Sequence, residues 1–189
     1  MIKPSTIKDA IVIWQVKYDR PASQSHEVNL RFQWPPIEDM NSGLTELKEV
    51  RRLSLANNMI EHITSLCALR KLKVLILSHN KIRKLNGIEV LANTLTQLWI
   101  NQNYIEDLKP IECMKKLKLL YIAYNNIKDW EEFDRLALLP LEALSFVGNP
   151  LQELLSEDAF TAEVKKRLPT LKYLEGDSLK WPSVCIERH

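Results

Sequence analysis

At 189 residues, with 46% of them hydrophobic, the chain is long enough to bury a continuous apolar core as one domain. Its 26 Lys and Arg nearly balance 24 Asp and Glu, for a formal net charge of +2. That balance lacks the basic excess by which nucleic-acid binders hold phosphates, so no nucleic-acid partner is expected. Glycine is scarce, at 4 residues, and no glycine-serine linker marks a second domain. Cys67, Cys113 and Cys185 are odd in number and form no C-x-x-C pair, which fits reduced thiols in a reducing compartment. The start Met-Ile lacks the glycine of a myristoylation signal, and the apolar run at residues 10–14 is too short to span a bilayer. The expectation is a nucleocytoplasmic protein without a membrane partner, including placement on structures reached from the cytosol.

Residues 5–18 read as an amphipathic helix. Ser5 or Thr6 can cap its start, and Asp9 stands three residues after Thr6 as a capping-box partner. Ile7, Ile11, Trp14 and Tyr18 recur at helical spacing along one face, and Pro21 ends the helix. Residues 1–26 are therefore expected to cap the open N-terminal end of the domain; a membrane or partner helix is the alternative. A degenerate repeat follows, with Leu30, Phe32 and Ile37 in the apolar register and Pro35 where an asparagine would stand.

From there one segment, L-x-x-L-x-[LIF]-x-x-N-x-[IL], returns roughly every 22–24 residues. Its clearest copy is Leu72, Leu75, Leu77, Asn80, Ile82 and Leu85. In x-L-x-L-x the leucines alternate, so a short strand sends them to one side and the x residues to the other. Stacked copies give a parallel sheet with the leucines inside. Asn58, Asn80, Asn103, Asn125 and Asn149 share one register and form a ladder, each amide able to donate to and accept from backbone that would otherwise be buried unpaired. The later apolar positions turn the chain back through short helical or 3-10 segments on the convex side. The fold expected is an α/β leucine-rich-repeat solenoid, with about six repeats over 27–152. A capping helix and closing repeat follow over 153–177, where K-R-L-P-T-L-K-Y-L-E-G stands, and residues 178–189 form a tail.

Chemistry is missing from the pattern. The chain has no Gly-x-x-x-x-Gly-Lys or Gly-x-Gly-x-x-Gly loop and no Gly-x-Ser-x-Gly elbow. His26, His62, His79 and His189 lie far apart without companions at ligand spacing. No catalytic, cofactor or metal site is expected.

Binding belongs to the x positions, which line the concave face. Val74, Ile76, Trp99, Leu119 and Tyr121 should form one patch, bordered by Asn101 and extended by Ala143 and Val147. Apolar side chains on the outward face of a sheet mark a partner site, with Trp and Tyr as typical anchors. The alternative is that a terminal segment folds back over the patch. A helix or helical hairpin is the natural shape for such a groove. Basic residues cluster at Arg70, Lys71, Lys73; at Lys115, Lys116, Lys118; and at Lys165, Lys166, Arg167, Lys172. They read either as a solvated rim or as a contact for an acidic surface such as tubulin.

The stretches W-P-P-I-E-D-M (34–40), L-T-Q-L-W-I-N-Q-N-Y-I-E (95–106), M-K-K-L-K-L-L-Y-I-A-Y-N-N-I-K-D-W (114–130) and F-V-G-N-P-L (146–151) resemble the leucine-rich-repeat light chains of the outer dynein arm. The similarity spans about residues 5–176. The resemblance implies a non-catalytic, cofactor-free subunit of the ciliary or flagellar axoneme, monomeric within its complex. It also implies binding to the microtubule-binding stalk region of a dynein heavy chain, contact with tubulin, and modulation of the motor on its track. It assigns Trp99 and Tyr121 to the apolar sheet face, and Lys166 and Arg167 to the closing helix near tubulin or a heavy-chain loop. The tail departs from the family, which often ends in an acidic stretch. A protein-phosphatase regulatory subunit or a spliceosomal scaffold would share the repeat type.

Overall fold

The computed structural model describes residues 3–175; the closing Gly176, the tail at 178–189 and Cys185 lie outside the described residues. The leucine pattern produces seven parallel strands in sequence order: β1 (Glu27–Asn29), β2 (Arg52–Ser54), β3 (Val74–Ile76), β4 (Gln97–Trp99), β5 (Leu119–Tyr121), β6 (Ala143–Ser145) and β7 (Tyr173–Leu174). Every central residue faces inward: Val28, Leu53, Leu75, Leu98 and Leu120 are fully buried, and Leu144 nearly so. Their pairing is in strict register, Leu53 with Leu75, Leu75 with Leu98, and Leu98 with Leu120. The return path on the convex side uses short 3-10 turns, Ile88–Leu91 and Lys109–Ile111 among them, whose apolar residues Ile88, Leu91 and Ile111 close the core. This is a leucine-rich-repeat solenoid, its short connections set by a repeat too small for full helices.

The asparagine ladder holds the turns. Asn103 Nδ2 donates to the carbonyls of Leu77, Ile100 and Asn101 at 3.1, 3.1 and 3.2 Å, while its Oδ1 accepts from Ile82 N at 2.9 Å. Asn80 repeats the set with Leu55, Leu77, Ser78 and Ile60, and Asn125 with Ile100, Ile122, Ala123 and Ile105. Asn58 and Asn149 end the row with the same logic. One amide thus joins its own turn of the solenoid to the turn before it. The residue before each ladder asparagine is left-handed: Asn57, His79, Gln102 and Tyr124 have φ of 56°, 57°, 54° and 54°, and Gly148 has 71°. Such a conformation costs a non-glycine residue about 1–2 kcal/mol. The asparagine bonds on either side of the turn offset that cost.

The first repeat corrects the sequence register. Val28 pairs with Leu53, so Val28 and Leu30 are the two core positions, both fully buried. Phe32 takes the left-handed turn position at φ 53° and is 66% exposed. By the same count Gln33, not Pro35, stands in the asparagine position. Val28 was missed because valine breaks the leucine pattern, while Phe32 offers a false apolar match two residues on. Ile37 keeps its expected place, buried and donating its N–H to Asn58 Oδ1 at 3.0 Å.

Helix α1 (Ile7–Tyr18) covers the N-terminal end. Thr6 Oγ1 accepts from Asp9 N at 3.2 Å, and Asp9 Oδ2 accepts from Thr6 N at 3.0 Å, closing a capping box. Ile7, Ala10, Ile11 and Trp14 are buried against the end of the core, but Tyr18 is 44% exposed. The helix stops there, with Asp19 left-handed, so the Tyr18 ring leans on Trp14, centroids 4.9 Å apart and tilted by 40°, instead of entering the core. At the other end lie α2 (Trp130–Asp134), α3 (Pro150–Glu153) and α4 (Glu157–Arg167). Phe133, Phe146 and Phe160 pack together there, with Trp130 against Phe133 and Phe160. The sheet edge is sealed by a side chain: the Glu175 carboxylate accepts the N–H groups of Phe146 and Val147 where β7 has run out. Burial pushes that carboxyl up against the lowering effect of those bonds.

Candidate partner-binding face

The parallel register lays the outward side chains in three rows across the sheet. One runs Glu27, Arg52, Val74, Gln97, Leu119, Ala143, and the next runs Asn29, Ser54, Ile76, Trp99, Tyr121, Ser145. Arg31, Ala56, Ser78, Asn101, Ala123 and Val147 follow in the third by the same count. The rows bring Val74, Ile76, Trp99, Leu119 and Tyr121 together on β3, β4 and β5. The Trp99 and Tyr121 rings stack with centroids 4.3 Å apart at 30°.

This patch is less open than strand alternation alone implies. Val74, Ile76, Trp99, Leu119 and Val147 are half-buried, while Tyr121 is 7% exposed and Ala143 5%. Strands under 5 Å apart force large neighbouring side chains to cover one another. Burial accordingly pushes the Tyr121 phenol up to about 12. The Trp99 indole Nε1 is buried with no acceptor among the described residues. Asn101 turns its Oδ1 inward to accept from Ala123 N at 2.9 Å, so its carbonyl braces the sheet.

The basic residues divide into committed and uncommitted groups. Glu142 receives both Lys118 and Lys172, at 2.7 and 2.8 Å, and that pair holds its carboxyl down to about 2. Lys71 is paired with Glu49 at 2.6 Å. Arg51, Arg70, Lys73, Lys115 and Lys116 form no ion pair among the described residues, which leaves the strand-start edge basic. On α4 the neighbours Lys166 and Arg167 differ. Lys166 has a 76% exposed side chain and a loose 3.8 Å contact with Glu163. Arg167 reaches Asp134 at 2.5 Å and Glu163 at 3.3 Å, and lies 4.2 Å above the Trp130 ring. It ties α4 to α2. The bonds to Asp134, more than those to Glu163, raise its affinity for the proton further.

Sequence reasoning named the apolar patch but missed Arg31, because the first repeat was read two residues out of register. The segment V-N-L at 28–30, taken as L-x-L, is the signal that would have placed it. The left-handed column and the Glu175 seal leave no comparable trace.

The fold is that of a leucine-rich-repeat protein. Solved structures agree on the fold: a leucine-rich-repeat protein of Leptospira interrogans superposes with a TM-score of 0.63 at 28% identity over 80% of this chain and 37% of its own length. An internalin of Listeria monocytogenes gives 0.55 at 25%, over 74% of this chain and 44% of its own. This chain therefore spans under half of either. No family model matches the sequence. Whole-length relatives do: dynein axonemal light chain 1 of Danio rerio is 54% identical over 94% of this chain and 93% of its own. The Homo sapiens protein is 52% identical over 93% and 94%, and that of Chlamydomonas reinhardtii 49% over 93% and 91%. The chain belongs to the dynein axonemal light chain 1 family.

Proposed function

We propose that this chain is a non-catalytic light chain of outer-arm axonemal dynein, gripping the microtubule-binding stalk region of a heavy chain in its concave face and so modulating the motor on its track. The coarse part follows from the family: a dynein light chain, resident in the axoneme of a cilium or flagellum and so part of the cytoskeleton. The finer part rests on one observation, the apolar centre of the sheet around the Trp99–Tyr121 stack. A half-buried aromatic flanked by Val74, Ile76 and Leu119 offers a ridge of a docked helix a preformed, already partly dehydrated surface. On α4, Lys166 is the residue placed to reach an acidic surface of tubulin or a heavy-chain loop, while Arg167 keeps the helix in position.

The test is recovery of partners from a ciliated-cell lysate with the tagged full chain. Trp99→Ala with Leu119→Ala serves as control, since both side chains are half-buried and contribute little to the core. An outer-arm heavy chain recovered by the parent and lost in the control is the expected result. Recovery of a phosphatase catalytic subunit or spliceosomal proteins in its place would overturn the reading.

A further inference from the structure

The concave face is not uniformly apolar. Toward β1 and β2 it opens into a hollow of about 240 Å³ whose walls include Glu27, Arg31, Arg52, Ser54, Asn57 and Trp99. That wall carries two guanidinium groups against one carboxylate. Arg52 is held by Glu27 at 3.2 Å, so this pair is close to neutral. Arg31 is exposed, contacts the Phe32 ring at 5.8 Å, and forms no ion pair among the described residues. The Ser54 hydroxyl and the Asn57 amide add neutral polar groups that can donate, and the Trp99 ring completes the wall, its indole N–H buried away from solvent. The uncommitted Arg51 and Lys73 stand on the adjoining strand-start edge.

We infer that this hollow receives a carboxylate, an Asp or Glu side chain of the same protein segment that lays its apolar ridge on Trp99 and its neighbours. The inference rests on the reading of the concave face as the heavy-chain site. The chemistry is that of charge complementarity: with Arg52 matched to Glu27, the unpaired Arg31 leaves the hollow net positive, which suits an acceptor-only anion and rewards no apolar or basic occupant. Trp99 belongs to both halves, so the acidic residue adjoins the apolar contact, at the end of the docked ridge that lies over β1 and β2. Such a group sets register and direction. An apolar ridge alone slides along a groove, whereas a charge with a single seat fixes it.

The experiment uses the full chain and outer-arm dynein purified from axonemes, with the native light chain displaced. Arg31→Glu should weaken rebinding by about tenfold and flatten its salt dependence, because reversal replaces attraction with repulsion at a partly desolvated site. Arg31→Lys should retain binding and, under a zero-length carbodiimide, form an amide between the new amine and a heavy-chain carboxylate. Peptide mapping of that adduct names the acidic residue. Trp99→Ala is run beside them. If Trp99→Ala abolishes rebinding while Arg31→Glu rebinds at the parental level and Arg31→Lys yields no heavy-chain adduct, the hollow is not a carboxylate seat although the concave face remains the site. If neither Trp99→Ala nor Arg31→Glu changes rebinding, the concave-face reading itself fails.

Discussion

The ladder and the concave face are built from the same repeat, yet they are opposite in character. Asn58, Asn80, Asn103, Asn125 and Asn149 are one residue type in one environment, each bonding to backbone of its own turn and of the turn before. The facing positions on the sheet share a register but not a chemistry: Asn29, Ser54, Ile76, Trp99, Tyr121 and Ser145 form a single row. Where the backbone must be satisfied, any departure is costly and the residue recurs. Where the side chain meets something outside the repeat, nothing in the stack constrains it. In a solenoid, regularity therefore marks structure and irregularity marks the surface open to function.

The sharpest way to break the contrast is in the ladder. Asn103→Ala strands the Ile82 N–H inside the solenoid and removes one donor each from the Leu77, Ile100 and Asn101 carbonyls, which keep Asn80, Asn125 and the His79 N–H. At about 1–3 kcal/mol for an unmet buried group and about 0.5–1.5 kcal/mol for each lost hydrogen bond it should cost about 3–5 kcal/mol. Urea unfolding should show a large fall in midpoint, with protein that remains folded binding normally. Trp99→Ala should do the reverse. It should cost about 2–4 kcal/mol in heavy-chain affinity with a melting temperature near that of the parent, measured by calorimetric titration and thermal melting. Tyr121→Ala is the less clean probe, since a ring only 7% exposed also supports the fold.

A smaller effect tests the turn column between the two regions. A Cβ at Gly148 would lie 2.3 Å from Tyr124 Cδ1, so the Tyr124 ring rests on the glycine. Gly148→Ala should cost about 1 kcal/mol, the scale of left-handed strain with a displaced surface ring. Adding Tyr124→Ala should recover part of it in a double-mutant cycle. The smallest effect is a titration. The Tyr121 phenol, raised from 10.0 to about 12 by burial, should ionise last of the five tyrosines when followed by absorbance. Its folded value lies above its unfolded one, so the stability it confers is intact below pH 10 and is lost as the pH rises toward about 12. Tyr121→Phe should remove that alkaline loss.

Much of this was legible in the residues because the repeat is local. The leucine spacing, the asparagine register, the capping box at Thr6 and Asp9, and the membership of the apolar patch all depend on period and geometry within one turn. From β2 to β6 the chain alone determined which side chains face in and which face out. Tertiary structure decided what each outward residue is free to do. Lys166 and Arg167 are adjacent and alike in sequence, but only the fold brings Asp134 and Trp130 to Arg167. Tyr121 reads as an open anchor, but close strand spacing shuts it in against Trp99. The register of the first repeat, and with it the place of Arg31 beside Ser54 and Trp99, came from the pairing of Val28 with Leu53. These are contacts between residues 20 or more positions apart. Local periodicity carries no record of them, because they follow from how one turn stacks on the next.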